Sequence, residues 1–478
     1  MKPRRLLIFY AISALLSSIF VMANSHIVLG YGYIGLLPML FFIGILFIFV
    51  LDRPEKKGRL TVYIFVSIQW LRTVLQPLLG SISGYFEDYG TYVQEKYAGF
   101  SVALMIYETA ITFLFVILFY RFSGNRNPSV FHESKLRGNT AIYGIFIAFA
   151  GVLFFVTGAD TYQFFALSTA SGRLSTTLGN EGSGSDALIN YGLTFLVILI
   201  IHNCSVQYQR TEKKRYVYYA MLCAALRLCL ISSESRLAQV YILGAFLLIL
   251  PQLFPQHKTQ IVRSVGAVAV LVLGFMTIYK VFYAFNYDSY MEAIRASSFG
   301  LSDLADQLDI YFYGVKTIAR NTTYCMQSDL GASQLVMDFL RNIFGIHYLL
   351  PDAITTVNDY NFYIYHGQQA SGYLFSSLAY GYLFFGAILA PLCTCFNFAL
   401  SFWIEKLLDR IQYTDIYYIA CLVYMRCAVM IFANFPQTFN YITRTVVLGV
   451  LVIGGSSIFS KRSGNKNKTK NFIKQNDV

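Results

Sequence analysis

The stretch GLLPMLFFIGILFIFVLDRPEKKGRL, residues 35–60, decides the fold class. Between Gly35 and Leu51 it carries no charge, and about 20 such residues in a helix cross the roughly 30 Å hydrocarbon layer of a bilayer. Arg53, Lys56, Lys57 and Arg59 follow at once. An apolar run closed by a basic cluster reads as a membrane span that ends on the cytoplasmic side.

The rest of the chain repeats this pattern. Of 478 residues, 56% are hydrophobic and only 13% charged, against roughly 25% charged in soluble domains. The chain reads as an integral membrane protein, with about twelve apolar runs of span length, centred near residues 14, 41, 70, 110, 149, 196, 224, 245, 273, 384, 424 and 452. The expected fold is all-α: a polytopic bundle of about twelve transmembrane helices, forming one domain over residues 1–460. The basic tail, 461–478, lacks apolar periodicity and reads as a disordered cytoplasmic extension. The first run is read as an uncleaved helix rather than a signal peptide.

The formal charge of +12 raises the question of nucleic acid, and the placement of the charges argues against it. Lys2, Arg4 and Arg5, then Arg121, Arg126, Lys135 and Arg137, then Arg210, Lys213, Lys214 and Arg215, and finally Lys461 to Lys474 fall on one side of the alternating runs. By the positive-inside pattern that side is the cytoplasm, and both termini lie there. The one long polar stretch, residues 284–371 between the ninth and tenth runs, then lies outside. Its length, aromatics and carboxylates mark it as ordered and functional. Within it, Leu335, Val336, Phe339, Leu340, Ile343 and Phe344 share one helical face, with Asp338, Arg341 and Asn342 opposite. That pattern predicts a helix either interfacial or packed on top of the bundle. The glycine-rich loop 158–186 reads as flexible.

Charged side chains inside spans are expensive and face a bundle interior or a cavity. Arg72, Arg227, Arg236, Arg426 and Arg444 all fall within or at the mouths of predicted spans, at middle to outer depth, and are expected to converge. Few span carboxylates, chiefly Glu108 and Glu234, are there to neutralise them. Guanidinium matches phosphate oxygens bidentately, so the expected ligand is a lipid phosphate or diphosphate. His366 lies just before the tenth run and Asp359 one short segment earlier. Either could act as a general base toward a hydroxyl. Tyr365 and Tyr373 offer ring faces and hydroxyls to a sugar.

The eight cysteines show no metal-ligand spacing. Only Cys325 lies in the long stretch, so no external disulfide is expected. No P-loop, zinc signature or Ser-His-Asp order is present, and neither cofactor nor metal is expected. The paired interrupted helices of an ion-coupled transporter are not visible either.

Trp70-Leu71-Arg72 followed by Gln76-Pro77, the turn Ser233–Arg236 between two short runs, and the segment His366–Gly386 with Gly367, Ser371, Gly372, Tyr380 and Gly381 together resemble the oligosaccharide repeat-unit polymerases, the Wzy family, and more distantly the O-antigen ligases. The resemblance covers the whole length as topology. It implies the GT-C-like polymerase/ligase architecture in a bacterial cytoplasmic membrane. It also implies glycosyl transfer on the outer face, from undecaprenyl diphosphate to a lipid-linked repeat unit, in capsule or O-antigen synthesis. His366, Arg236 and Arg426 would then be catalytic. Arg72, Arg227, Arg444, Asp359, Tyr365 and Tyr373 would bind substrate, and the bilayer, a chain-length regulator and a flippase would be partners. In the ligases the key histidine stands beside an asparagine, whereas Gly367 follows His366, which leans toward a polymerase. The rival readings are a flippase for lipid-linked repeat units and a ligase-like transferase.

Overall fold

The computed structural model describes residues 3–24, 27–125, 134–157, 162–164, 184–232, 236–284, 300–350, 354–367 and 373–475. Among them the chain is helical apart from one antiparallel ribbon, Tyr162–Phe164 against Leu230–Ser232. Six helices are long and apolar enough to cross a membrane, and up to eight if each of two bent pairs counts as one span. That is fewer than the twelve runs read from the sequence. The runs near 245 and 273 belong to one pair bent by 118°, and the run near 384 opens a second pair bent by 113°. Those near 149, 224 and 424 form helices of 17, 15 and 16 residues. Apolarity measures what a segment can bury, and it does not record where the chain turns.

Two compact units emerge: Met1–Asn127 with Ser298–Asp409 and Arg426–Thr443, and Pro128–Ser297 with Arg410–Met425 and Arg444–Val478. In chain order the first unit contains α1 (Pro3–Ala23), α2 (Leu36–Leu51), α3 (Arg59–Trp70), a π turn at Leu71–Leu75, α4 (Gln76–Ser83) and α5 (Glu95–Arg121). The second unit carries α6 (Thr140–Val156), α7 (Gly184–Thr211), α8 (Arg215–Cys229), α9 (Arg236–Leu253) and α10 (Lys258–Ala284). The described part of the long polar stretch folds into four short helices of the first unit: α11 (Leu301–Tyr311), α12 (Val315–Gln327), α13 (Ala332–Arg341) and α14 (Thr356–Ile364). Then come α15 (Ser377–Leu389), α16 (Leu392–Leu408), α17 (Thr414–Val429) and α18 (Phe435–Gln475).

Helix ends in the first unit are satisfied by charge. Glu405 accepts from Leu60 N at 3.1 Å and Thr61 N at 2.7 Å at the start of α3, where a carboxylate meets the positive end of the helix dipole. Lys56 Nζ donates to the carbonyls of Tyr120 and Arg121 at the end of α5, at 2.8 and 2.9 Å. Gly58 turns the chain into α3 with φ +72°, and the Phe402 ring lies where a Cβ would stand. Aromatic packing fills the interior: Phe65 meets Phe113, Phe398 and Phe432 at 5.5, 5.6 and 5.8 Å between ring centroids.

A feature not visible in the sequence is a bridge between two non-helical segments. The extended residues just before α15 and the break between α17 and α18 run side by side. Ser377 N donates to Phe432 O at 2.8 Å and Asn434 N to Phe375 O at 3.2 Å. Asparagines supply the bonds that helix would have made. Asn397 donates to Ile431 O and Ala433 O, both at 2.9 Å, and Asn321 accepts from Ser376 N at 3.0 Å. Non-helical backbone away from water requires such partners.

In the second unit, Asp415 Oδ2 accepts from Arg137 N, Gly138 N and Tyr143 Oη at 2.8, 3.1 and 2.7 Å. Those bonds fix the chain entering α6.

Candidate functional site

The C-terminus of α14 closes in a Schellman turn, in which Gly367 N donates to Phe362 O and His366 N to Tyr363 O. The residue following the cap in such a turn adopts the left-handed conformation and is usually glycine. Here it is His366, with φ +51°. A non-glycine residue in that region costs about 1–2 kcal/mol, and such strain concentrates at functional positions. The imidazole stands exposed, and its Nε2 lies 3.2 Å from the hydroxyl of Tyr92. Tyr92 is itself left-handed, with φ +63°.

Arg320, in α12, joins the two strained segments. Its Nε donates to Thr91 O at 3.3 Å, and its guanidinium lies over the Tyr373 ring at 5.1 Å. The Tyr373 ring in turn lies tilted against that of Tyr365, 5.5 Å between centroids, and Tyr373 is pinned by Asn361, which accepts from Tyr373 N at 3.0 Å. Arg320 is 6% exposed, and among the described residues its buried Nη1 has no hydrogen-bond partner. Among the described residues no carboxylate stands within ion-pair distance of it. Burial opposes its charge, but Tyr360, Asp309 and Tyr373 outweigh that effect and hold the guanidinium protonated. Burial also pushes the Tyr365 phenol up, with Tyr373 and Tyr92 adding to it.

Neighbouring charges are committed to structure. Asp309 caps α12, accepting from Lys316 N at 2.9 Å and Thr317 N at 2.8 Å, and burial pushes its carboxyl up. Lys316 Nζ pairs with Asp88 at 2.5 Å and lies 4.1 Å from the Tyr85 ring centroid. Asp359 accepts the Tyr324 hydroxyl at 2.5 Å.

The residues read from the sequence therefore divide. His366, Tyr365 and Tyr373 come together with Tyr92 and Arg320, while Asp359 sits on α14 engaged by Tyr324. Arg72 is fully enclosed: Nη2 pairs with Glu108 at 2.7 Å, Nε donates to Tyr313 O at 2.7 Å, and Phe432 covers the guanidinium at 4.5 Å. Glu108 also accepts from Thr394 Oγ1 at 2.6 Å. Its charge is thus matched within the fold. Arg426 is half-buried at the end of α17, over the Tyr441 ring at 5.4 Å. Arg227, Arg236 and Arg444 belong to the second unit. Arg227 donates to Asn190 Oδ1 at 3.0 Å and Leu230 O at 3.3 Å. The Arg236 side chain, Glu234 with its turn, the segment 165–183, and Ser371 with Gly372 lie outside the described residues.

Arg320 and Tyr92 do not stand out in the sequence, because only a cation inside an apolar run makes its cost visible there. Arg320 stands in a polar stretch and reads there as a solvated charge. The sequence signal was the spacing Lys316, Arg320, Tyr324, one face of a helix.

Among the described residues no group of three or more His, Cys, Asp or Glu side chains gathers as a metal site would require. No family model matches the sequence, and neither a curated protein nor a solved structure matches it.

Proposed function

We propose that the chain is a membrane glycosyltransferase of the repeat-unit polymerase kind, working at the cluster of His366, Tyr92, Arg320, Tyr365 and Tyr373. The observation that carries this reading is the buried Arg320, without a carboxylate partner, beside a histidine held in a strained turn. A buried cation with no carboxylate in contact favours an anionic ligand. Histidine titrates near neutrality and can take the proton of a sugar hydroxyl. That hydroxyl oxygen bonds to the anomeric carbon of the donor glycan as the bond from that carbon to the diphosphate oxygen breaks. Undecaprenyl diphosphate leaves with the electron pair, and the guanidinium stabilises its developing charge. Tyr365 and Tyr373 supply faces for the sugars. Arg72, already paired with Glu108, holds the bundle in this scheme, and Arg426 remains a second candidate for the phosphate. The setting in this reading is the bacterial cytoplasmic membrane that the resemblance implies, with both termini in the cytoplasm, as the charge pattern implies.

The test is incubation of the purified chain, in nanodiscs, with a lipid-linked repeat unit. A ladder of longer lipid-linked products is expected, and its absence under all acceptor concentrations overturns the proposal. A second reading, translocation of the lipid-linked glycan, is favoured by the two sharply bent helix pairs, Ala238–Leu253 with Pro255–Gly274 and Ser377–Leu389 with Leu392–Leu408, since broken spans are common in transporters. Movement of a labelled lipid-linked glycan across proteoliposomes without a product ladder would select it.

A further inference from the structure

Helix α13 has its polarity reversed. Its acidic residue, Asp338, is 1% exposed and accepts from Thr356 N at 2.8 Å, Thr356 Oγ1 at 2.6 Å and Tyr380 Oη at 3.0 Å. Facing away from these partners, Val336 is 57% and Leu340 39% exposed, and Leu349 and Ile354 beyond the helix are 78% and 59% exposed. Val336 and Leu340 stand four residues apart, on one stripe. A helix packed on a bundle beneath water turns its charges outward, so this stripe faces something apolar.

What it faces follows from where α13 is tied. Phe339 packs on Phe435 and Phe439 at 5.6 and 5.9 Å, and Thr443 Oγ1 accepts from Phe344 N at 3.2 Å. Phe435 to Thr443 are the first turns of the helix Phe435–Ile458, which is apolar enough to span a membrane. A helix fastened to the start of a span sits at the level of the bilayer surface. Because α13 and Phe435–Thr443 belong to one compact unit, the Val336–Leu340 stripe lies at the level where this span enters the bilayer. We propose that α13 is a membrane-surface helix whose Val336 and Leu340 side chains lie among the acyl chains of the leaflet in which the Phe435–Ile458 span begins. A lipid-immersed stripe carries no charge: Asp338 is turned inward, and the half-buried Arg341 lies off the line of Val336 and Leu340. The inference stands on packing and exposure alone and is independent of the chemistry proposed above.

The test uses the full chain in nanodiscs of phosphatidylethanolamine and phosphatidylglycerol, with or without acyl-brominated lipid. Val336→Cys and, separately, Leu340→Cys carry a bimane label, with the emission of the identically treated unsubstituted chain subtracted. Leu15→Cys on the first span is the lipid reference and Asn358→Cys on α14 the solvent reference. Loss of emission to bromolipid at both test positions, matching that at Leu15→Cys, is the expected result. Quenching no greater than at Asn358→Cys overturns the proposal. So does a label shielded from both bromolipid and aqueous iodide, the mark of a protein partner on this face. Agreement between the two cysteine variants separates the result from misfolding of either one.

Discussion

His366 occupies a backbone conformation that glycine adopts freely. That separates its two possible contributions. His366→Gly removes the imidazole while relieving the strain, so the protein should melt no lower than the parent, yet the product ladder should disappear. A full ladder from His366→Gly moves the base elsewhere. Arg320→Met makes a comparable separation. No carboxylate contacts Arg320 among the described residues, so its removal costs Asp309 only longer-range attraction and leaves that carboxylate its bonds from Lys316 N and Thr317 N. Thermal stability should fall little while the lipid-linked substrate binds at least about tenfold more weakly, or 1.4 kcal/mol. A fall in melting temperature with unchanged affinity would make Arg320 a structural residue. His366 was legible in the sequence because histidine is rare and stands at the edge of an apolar run. Arg320 was not, since burial in a polar segment is a property of the folded neighbourhood.

Elements carry the next level of constraint. The π turn at Leu71–Leu75 aims Arg72 at Glu108 across to α5, and both groups are fully buried. Removing one partner of such a pair strands the other charge at a cost of about 3–5 kcal/mol, whereas replacing both by apolar residues is often neutral. Arg72→Met alone should therefore lower the thermal stability of detergent-solubilised protein sharply, and Arg72→Met with Glu108→Leu should recover most of it. Equal losses in the single and double variants would show that the pair does not act as one. Asp338 links three elements, receiving bonds from the start of α14 and from α15. Asp338→Ala should speed amide exchange over residues 354–366 and lower activity through displacement of His366, with hydrogen exchange as the readout. The sequence pattern placed Asp338 on the polar side of an amphipathic helix, as periodicity alone would. It lies inside because Thr356 and Tyr380 offer it hydrogen bonds that outweigh its preference for water.

At the scale of the whole molecule, the distribution of lysine and arginine makes a topological prediction. In intact cells, a cysteine introduced at Lys57 should be shielded from a membrane-impermeant thiol reagent, and one introduced at Asn358 should react. The reverse pattern would invert the chain and move the His366 cluster to the cytoplasmic side, where lipid-linked polymerisation would have no external substrate.

By itself the sequence determined a helical chain with apolar runs of membrane-span length, and of the nine residues it proposed for a site, His366, Tyr365 and Tyr373 are the ones that the fold brings into one cluster. Run length and residue type are local, each written in a few consecutive residues. Which runs bend, that Arg72 finds Glu108, that the break before α18 bridges to the lead into α15 with asparagines supplying bonds, and that Arg320 reaches both Thr91 and Tyr373 were decided by tertiary structure alone. Each depends on partners tens or hundreds of residues away, and burial and hydrogen-bond satisfaction exist only once those partners meet.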